Sequence, residues 1–361
     1  MNSASPAPPK SRNSRFIPFF LILVVALVIG FTIRYFKGKP YATIEERSWE
    51  VYFSKVNGYN KVNSLESRLV AKLGLATERI DAALYDLDSE LIADALIDAH
   101  KRDVKVRVFT EHDNINDKNG GKESKIVRLQ REGIPVRDDG DNEGYMHHKF
   151  IVIDERYVWT GSYNTTYNGA YKNSNNVVWF DSEPLAYNFT QEFREMYILA
   201  EMDRSSDPHI PFPHITLNDG TQISTYFAPE NDTISPLLKE IKSAKKSIYF
   251  MAFSFTHDKL GEAMRDRYKR GIPVEGVFEK RQINRYSEYE LMEKAGIPVI
   301  TDDSPGTMHH KVIVIDEETV ITGSYNFSKN AETRNSENLL IIKGNKDIAQ
   351  AYLDEFNRLK W

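Results

Sequence analysis

The 361-residue chain contains no cysteine. That excludes disulfides, thiolate metal sites, a cysteine nucleophile and a lipidated cysteine. It leaves the compartment open, because a cysteine-free chain tolerates reducing and oxidising surroundings alike. Acidic residues are missing from the first 40 positions, which carry six basic ones: Lys10, Arg12, Arg15, Arg34, Lys37 and Lys39. Taking these six from the 47 basic residues leaves 41 against 52 acidic ones over residues 41–361, a formal charge of −11. So acidic a body is a poor general polyanion binder, since duplex affinity comes largely from neutralising phosphates. The run Arg265–Arg270, RDRYKR, reads as a solvated helix face, with a local basic patch as the alternative. Metal-ligand spacings such as HExxH are absent too, and neither a metal nor another cofactor is expected.

Charge is also absent from Phe16–Ile33, FIPFFLILVVALVIGFTI, whose eighteen residues are just long enough to cross a bilayer as a helix. Pro18 falls in its first turn, where a missing N–H is tolerated. A signal peptide would show a shorter apolar core and a small-residue cleavage site, but Arg34-Tyr-Phe-Lys-Gly-Lys follows. A core helix would not be apolar on every side beside a Pro/Ser-rich tail. The expectation is a disordered basic tail (1–15), a single transmembrane anchor (16–33) and a juxtamembrane segment (34–63). The body is expected outside the cytoplasm, although the flanking charges are balanced.

From about residue 64 the chain repeats itself. IDAALYDLDSELIADALIDAHKRDVKVRVF (80–109), REGIPV (131–136) and MHHKFIVIDERYVWTGSYN (146–164) return as IYFMAFSFTHDKLGEAMRDRYKRGIPVEGVF (248–278), KAGIPV (294–299) and MHHKVIVIDEETVITGSYN (308–326). A long period seen twice indicates one duplicated domain rather than a solenoid. Each copy alternates strand and helix signals: a short apolar strand at Ile80–Tyr85, a helix from the N-cap Ser89 through Arg102, then Val104, Val106 and Val108 alternating as a strand. Gly133-Ile-Pro ends the next helix. This βαβ pattern predicts an α/β sandwich in each half, over 64–204 and 222–361. The Pro-rich segment 205–221 reads as the linker between them.

The repeated element is His147-x-Lys149-x4-Asp154-x6-Gly161-Ser162-x-Asn164, returning as His309-x-Lys311-x4-Asp316-x6-Gly323-Ser324-x-Asn326. A strand's period of two puts His147 and Lys149 on one face and His148 on the other, and likewise His309 and Lys311 against His310. A turn at Asp154–Arg156 brings Ser162 and Asn164 back within reach of the first face. Each of these side chains can donate to a phosphate oxygen or handle a proton. Strand-end histidines satisfied locally are the bland alternative, and two copies at identical spacing argue against it. Imidazole titrates near neutrality, so one can attack phosphorus while the other protonates the leaving oxygen. Without a metal, the phosphoryl charge falls to Lys149, Lys311, Asn164 and Asn326.

These motifs resemble the HxKxxxxD and GSxN signature of the phospholipase D superfamily over residues 64–361. The second copy, HHKVIVIDEETVITGSYNFSKNAETRNSENLLII, is especially similar to the superfamily's small bacterial endonucleases, which carry one motif and dimerise. The resemblance implies a pseudo-two-fold arrangement with both motifs at one site, so that no partner chain is needed to complete it. It also implies metal-free displacement through a phosphohistidine, with His147 as nucleophile and His309 as general acid. Asp154, Asp316, Gly161 and Gly323 are expected to hold the turns, and Ser162, Ser324 and Asn175 to contact substrate. One position departs between halves: 28 residues beyond each histidine stand Asn175 and Glu337. In the resembling endonucleases a glutamate at this spacing partners the histidine. The expectation is that each partners the histidine of its own half, Glu337 keeping His309 protonated and Asn175 leaving His147 neutral. The expected function is a membrane-anchored phosphodiesterase acting on phospholipid. A membrane-anchored nuclease and a phosphatidyltransferase such as a cardiolipin synthase are the alternatives, and a catalytically silent scaffold is the rival outside enzymes.

Overall fold

The computed structural model describes residues 47–54, 61–115, 124–199 and 210–360. The expected tail and anchor lie outside these residues; among the described ones, no helix is long and apolar enough to cross a membrane. Ser48–Trp361 forms one compact unit.

The duplicated sequence becomes two duplicated mixed sheets. The first holds β1 (Trp49–Phe53), β2 (Arg79–Leu84), β3 (Lys105–Thr110), β4 (Val136–Asp138), β5 (Lys149–Ile153), β6 (Tyr157–Gly161) and β7 (Asn176–Asp181). The second holds β8 (His214–Thr216), β9 (Gln222–Ala228), β10 (Ile248–Ala252), β11 (Val274–Glu279), β12 (Val299–Asp302), β13 (Lys311–Ile315), β14 (Thr319–Gly323) and β15 (Glu337–Lys343). Their orders, β1-β7-β6-β5-β2-β3-β4 and β12-β11-β10-β13-β14-β15-β9-β8, superimpose strand for strand when the second is read backwards, with β8 as an extra edge.

The expected elements form where the residue pattern put them. The helix after β2 spans Glu90–Lys101, and the Ser89 hydroxyl accepts from the Ile92 N–H to cap it. Two boundaries differ. The first half begins at Trp49, not 64, because β1 pairs antiparallel with β7. Within the expected linker, His214–Thr216 pairs with β9 as an edge strand. The RDRYKR run is a paired helix face rather than a basic patch: Arg265 bonds Glu288, Arg267 the Ala244 carbonyl and Arg270 Asp266.

Alternation along the strands fills three cores. Phe150, Val152, Val178 and Phe180 point inward to meet Val312, Val314, Leu340 and Ile342 of the other sheet. Phe189 and Phe193 of helix Glu183–Arg194, with Tyr352 and Phe356 of helix Lys346–Lys360, join the same cluster. The outward residues Ile151, Ile153 and Trp159, and Ile313, Ile315 and Ile321, pack under separate helical layers. Burying such a side chain contributes about 1.5–3 kcal/mol each, so the shared inner core fixes the halves against one another.

Candidate active site

The site forms where the segment leading into β5 and β13 crosses from one half to the other. Met146 bridges Ser336, and Ser174 bridges Met308. His147 N donates to the Ser336 carbonyl at 3.0 Å, and His309 N to the Ser174 carbonyl at 2.9 Å. Gly144 makes one crossing possible, since a Cβ there would sit 1.8 Å from the Arg334 carbonyl oxygen. Each motif histidine is therefore mounted on main chain of the opposite half.

The partners of the imidazoles cross as well. His147 Nδ1 lies 2.8 Å from the Glu337 carboxylate. His309 Nδ1 lies 3.0 Å from Asn175 Oδ1 and 2.9 Å from the Ser162 carbonyl. The expectation that each partner serves its own half is thus overturned: Glu337 belongs to His147, and Asn175 to His309. Strands β7 and β15 start at the crossing, so the residue at each start reaches over it. In both rings Nδ1 faces an acceptor, which assigns the proton to Nδ1 and leaves Nε2 for the substrate.

Lys149 and Lys311 are buried, and each donates back to its own histidine's carbonyl, at 2.7 and 2.9 Å. Their ammonium groups stand 4.7 Å from the Tyr85 ring centre and 4.8 Å from that of Phe253. The same rings meet the imidazoles edge-on, Tyr85 against His147 at 4.9 Å and Phe253 against His309 at 4.6 Å. Burial followed by the charges of both lysines holds His147 and His309 well below the ordinary histidine range. The crossed contacts of His147 with Glu337 and of His309 with Asn175 and the Ser162 carbonyl bring the two motifs together. Burial also pushes Lys149 down to about 7, Lys311 well down, and Glu337 up to about 7. A site so built resists positive charge. An arriving phosphodiester anion relieves that, favouring charged lysines and an imidazolium.

The Oδ1 atoms of Asn164 and Asn326 are buried without hydrogen-bond partners among the described residues. Oδ1 only accepts, so it is the Nδ2 amide of each that can donate to a phosphate oxygen. Ser162, Ser324 and Asn175, expected to contact substrate, are committed inside the protein instead. Ser162 Oγ donates to Asn175 Oδ1 at 2.9 Å and accepts from Asn176 N, while Ser324 Oγ accepts from Asn338 N. They hold the histidines' partners. Gly161 is required because a Cβ there would lie 2.2 Å from the Asn176 carbonyl oxygen. Asp154 and Asp316 sit at the far ends of β5 and β13. Asp154 accepts from the N–H groups of Thr77, Glu78 and Arg79, and Asp316 from those of Lys245, Lys246 and Ser247. They hold turns, as expected.

His148 and His310 face the inner core, as strand alternation predicts. His148 Nε2 lies 2.8 Å from Glu192 and its Nδ1 meets the Asn338 amide; His310 Nε2 lies 2.9 Å from Glu355 and its Nδ1 meets Asn176. Sequence reasoning missed these bonds, the rings of Tyr85 and Phe253, and a carboxylate behind each histidine. Those carboxylates, Glu111 and Glu279, stand at matched positions just past the quoted repeat, which was the available signal.

The family described as "Cardiolipin synthase, PLD-like domain" matches residues 69–197 and 237–361, one match per half. A phospholipase D of Rickettsia bellii is 30% identical over 157 residues, 43% of this chain and 78% of that protein. The human mitochondrial cardiolipin hydrolase is 35% identical over 127 residues, 35% of this chain and half of that protein. The crystal structure of a phosphatidylserine synthase from Haemophilus influenzae covers 86% of this chain and 85% of its own at a TM-score of 0.63 and 13% identity, a likeness of fold.

Proposed function

We propose that this chain, which belongs to the phospholipase D superfamily, is a membrane-anchored phosphodiesterase that cleaves phospholipid through a covalent phosphohistidine. The observation that carries this reading is the crossed pairing of His147 with Glu337 and His309 with Asn175, which makes two identical motif histidines unequal.

On this reading the unequal partners divide the roles. His147 Nε2 attacks phosphorus while its Nδ1–H stays bonded to Glu337. The positive charge that develops on the ring as the P–N bond forms is met by that carboxylate. The P–O bond to the leaving alcohol breaks, and His309, protonated as the bound anion raises its basicity, passes its Nε2 proton to the leaving oxygen. Lys149, Lys311 and the Nδ2 amides of Asn164 and Asn326 meet the charge on the phosphoryl oxygens. Water then attacks phosphorus, with His309 as base, releasing a phosphomonoester and free His147.

Phospholipid as substrate is supported by three things. Residues 16–33 would hold the site at a bilayer, the body carries a formal charge of −11, and two relatives are named for lipid cleavage. The test incubates the full chain in mixed micelles with phospholipids, single-stranded DNA and RNA, and identifies products by mass. Phosphatidic acid plus free alcohol is expected. Cleaved nucleic acid alone makes the chain a nuclease, and lipid transferred to an added alcohol makes it a phosphatidyltransferase.

A further inference from the structure

Behind each motif histidine stands a buried carboxylate. Met146 N donates to Glu111 Oε2 and Met308 N to Glu279 Oε2, both at 2.7 Å. Glu111 is 5% exposed and Glu279 1%; one follows β3 and the other ends β11, where these strands point at the site. On either side of Met146 the chain is tied to the opposite half, through the Tyr145 carbonyl and the His147 N–H, which both bond Ser336. The Tyr85 N–H, bonding the His148 carbonyl, and the Met146 N–H tie this crossing back to its own half, the latter through a charge-assisted bond.

We propose that Glu111 and Glu279 are positioning residues that brace the main chain carrying His147 and His309. This rests on the phosphodiester reading of the same site. The two braces differ at the carboxylate's second oxygen. Glu279 Oε1 accepts from the Arg281 main-chain N–H and from Arg281 Nη1, each at 3.0 Å, which neutralises it. The matched position in the first half is Asp113, and Glu111 receives no bond from its own turn. Asp139, whose charge acts on Glu111, is itself buried, and its Oδ1 accepts from His112 N at 2.6 Å.

Burial, then the charge of Asp139, pushes Glu111 up to about 7, and the Met146 N–H acts the other way by favouring the ionised carboxylate. The brace is therefore strongest with Glu111 ionised.

The test uses the full chain in mixed micelles with a p-nitrophenyl phosphodiester, and follows kcat and KM separately. Glu111→Ala should lower kcat about tenfold or more with KM changed less than about twofold, as a misplaced catalytic group does. Glu111→Gln keeps an acceptor and should recover most of that loss. Glu279→Ala and Glu279→Gln should follow the same pattern. Unchanged kcat in Glu111→Ala, or a Glu111→Gln variant as defective as the alanine, overturns the proposal. A readout independent of turnover, and one that serves if the alanine variant fails to fold, is the Met146 amide resonance in methionine-labelled protein. It should shift between the wild type and Glu111→Gln, which exchanges a charged acceptor for a neutral one; an unchanged resonance refutes the brace even if no diester is ever cleaved.

Discussion

Replacing Glu337 by glutamine removes one charge from a fully buried position while keeping an oxygen that accepts the His147 Nδ1–H. The wild-type contact spans 2.8 Å. A hydrogen bond to a charged group contributes about 1.5–3 kcal/mol and a neutral one about 0.5–1.5. The difference, about 1–1.5 kcal/mol, sets a floor of about five- to twelvefold in rate. The ring becomes cationic as the P–N bond forms in a water-poor site, so the true loss should exceed that floor and approach the hundredfold typical of a lost electrostatic stabiliser. The pH dependence supplies a sign. Burial pushes Glu337 up to about 7, so the wild-type kcat/KM should rise as this carboxylate ionises through about pH 7. Glutamine has nothing to ionise, and that acid-side limb should vanish. The assay compares a natural phospholipid with a p-nitrophenyl diester, whose leaving group needs no proton. Acting through the nucleophile, Glu337→Gln should be equally defective on both. A defect confined to the natural leaving group would show that Glu337 serves the acid, and the crossed assignment would fall.

His148→Ala and His310→Ala should lower the melting temperature rather than act on chemistry directly. Each leaves a buried carboxylate, Glu192 or Glu355, without its imidazole, at about 3 kcal/mol, read by thermal unfolding. Asn175→Glu places a carboxylate 3 Å or so from the His309 ring and should move the alkaline limb of kcat/KM upward, because the acid holds its proton longer. Turnover should survive EDTA, since Lys149 and Lys311 already meet the phosphoryl charge; loss with chelator and recovery with zinc or magnesium would overturn the two-histidine chemistry. Removing residues 1–40 should lower activity on bilayers far more than on short-chain soluble lipid, as expected of an anchor that raises effective concentration.

The repeat made the fold legible. Strand alternation around MHHKFIVID and MHHKVIVID placed His147 and His309 on one face and His148 and His310 on the other, and the structure agrees. The turn roles of Asp154 and Asp316 were readable because a carboxylate after an apolar strand has few other duties. The pairing of Glu337 and Asn175 was not. Sequence distance favours a partner in the same half, whereas the partner is set by β7 and β15 starting where the chain crosses between sheets. The duties of Ser162 and Ser324 were missed for a related reason. A hydroxyl at a motif position looks available, and only the positions of Asn176 and Asn338 show that it is already engaged. Strand β1 escaped notice because it has no neighbour in sequence and pairs only with β7, more than a hundred residues later.

Two motif histidines, identical in sequence, are made unequal by partners from opposite halves. The direct measurement is to acid-quench the enzyme during turnover and map the phosphoryl group by mass spectrometry of the histidine peptides. A His309→Ala variant given a p-nitrophenyl diester should carry the phosphoryl adduct on His147, accumulating because no base remains to activate water. His147→Ala should carry none. An adduct on His309 in the wild type, or equal labelling of both histidines, would contradict the account.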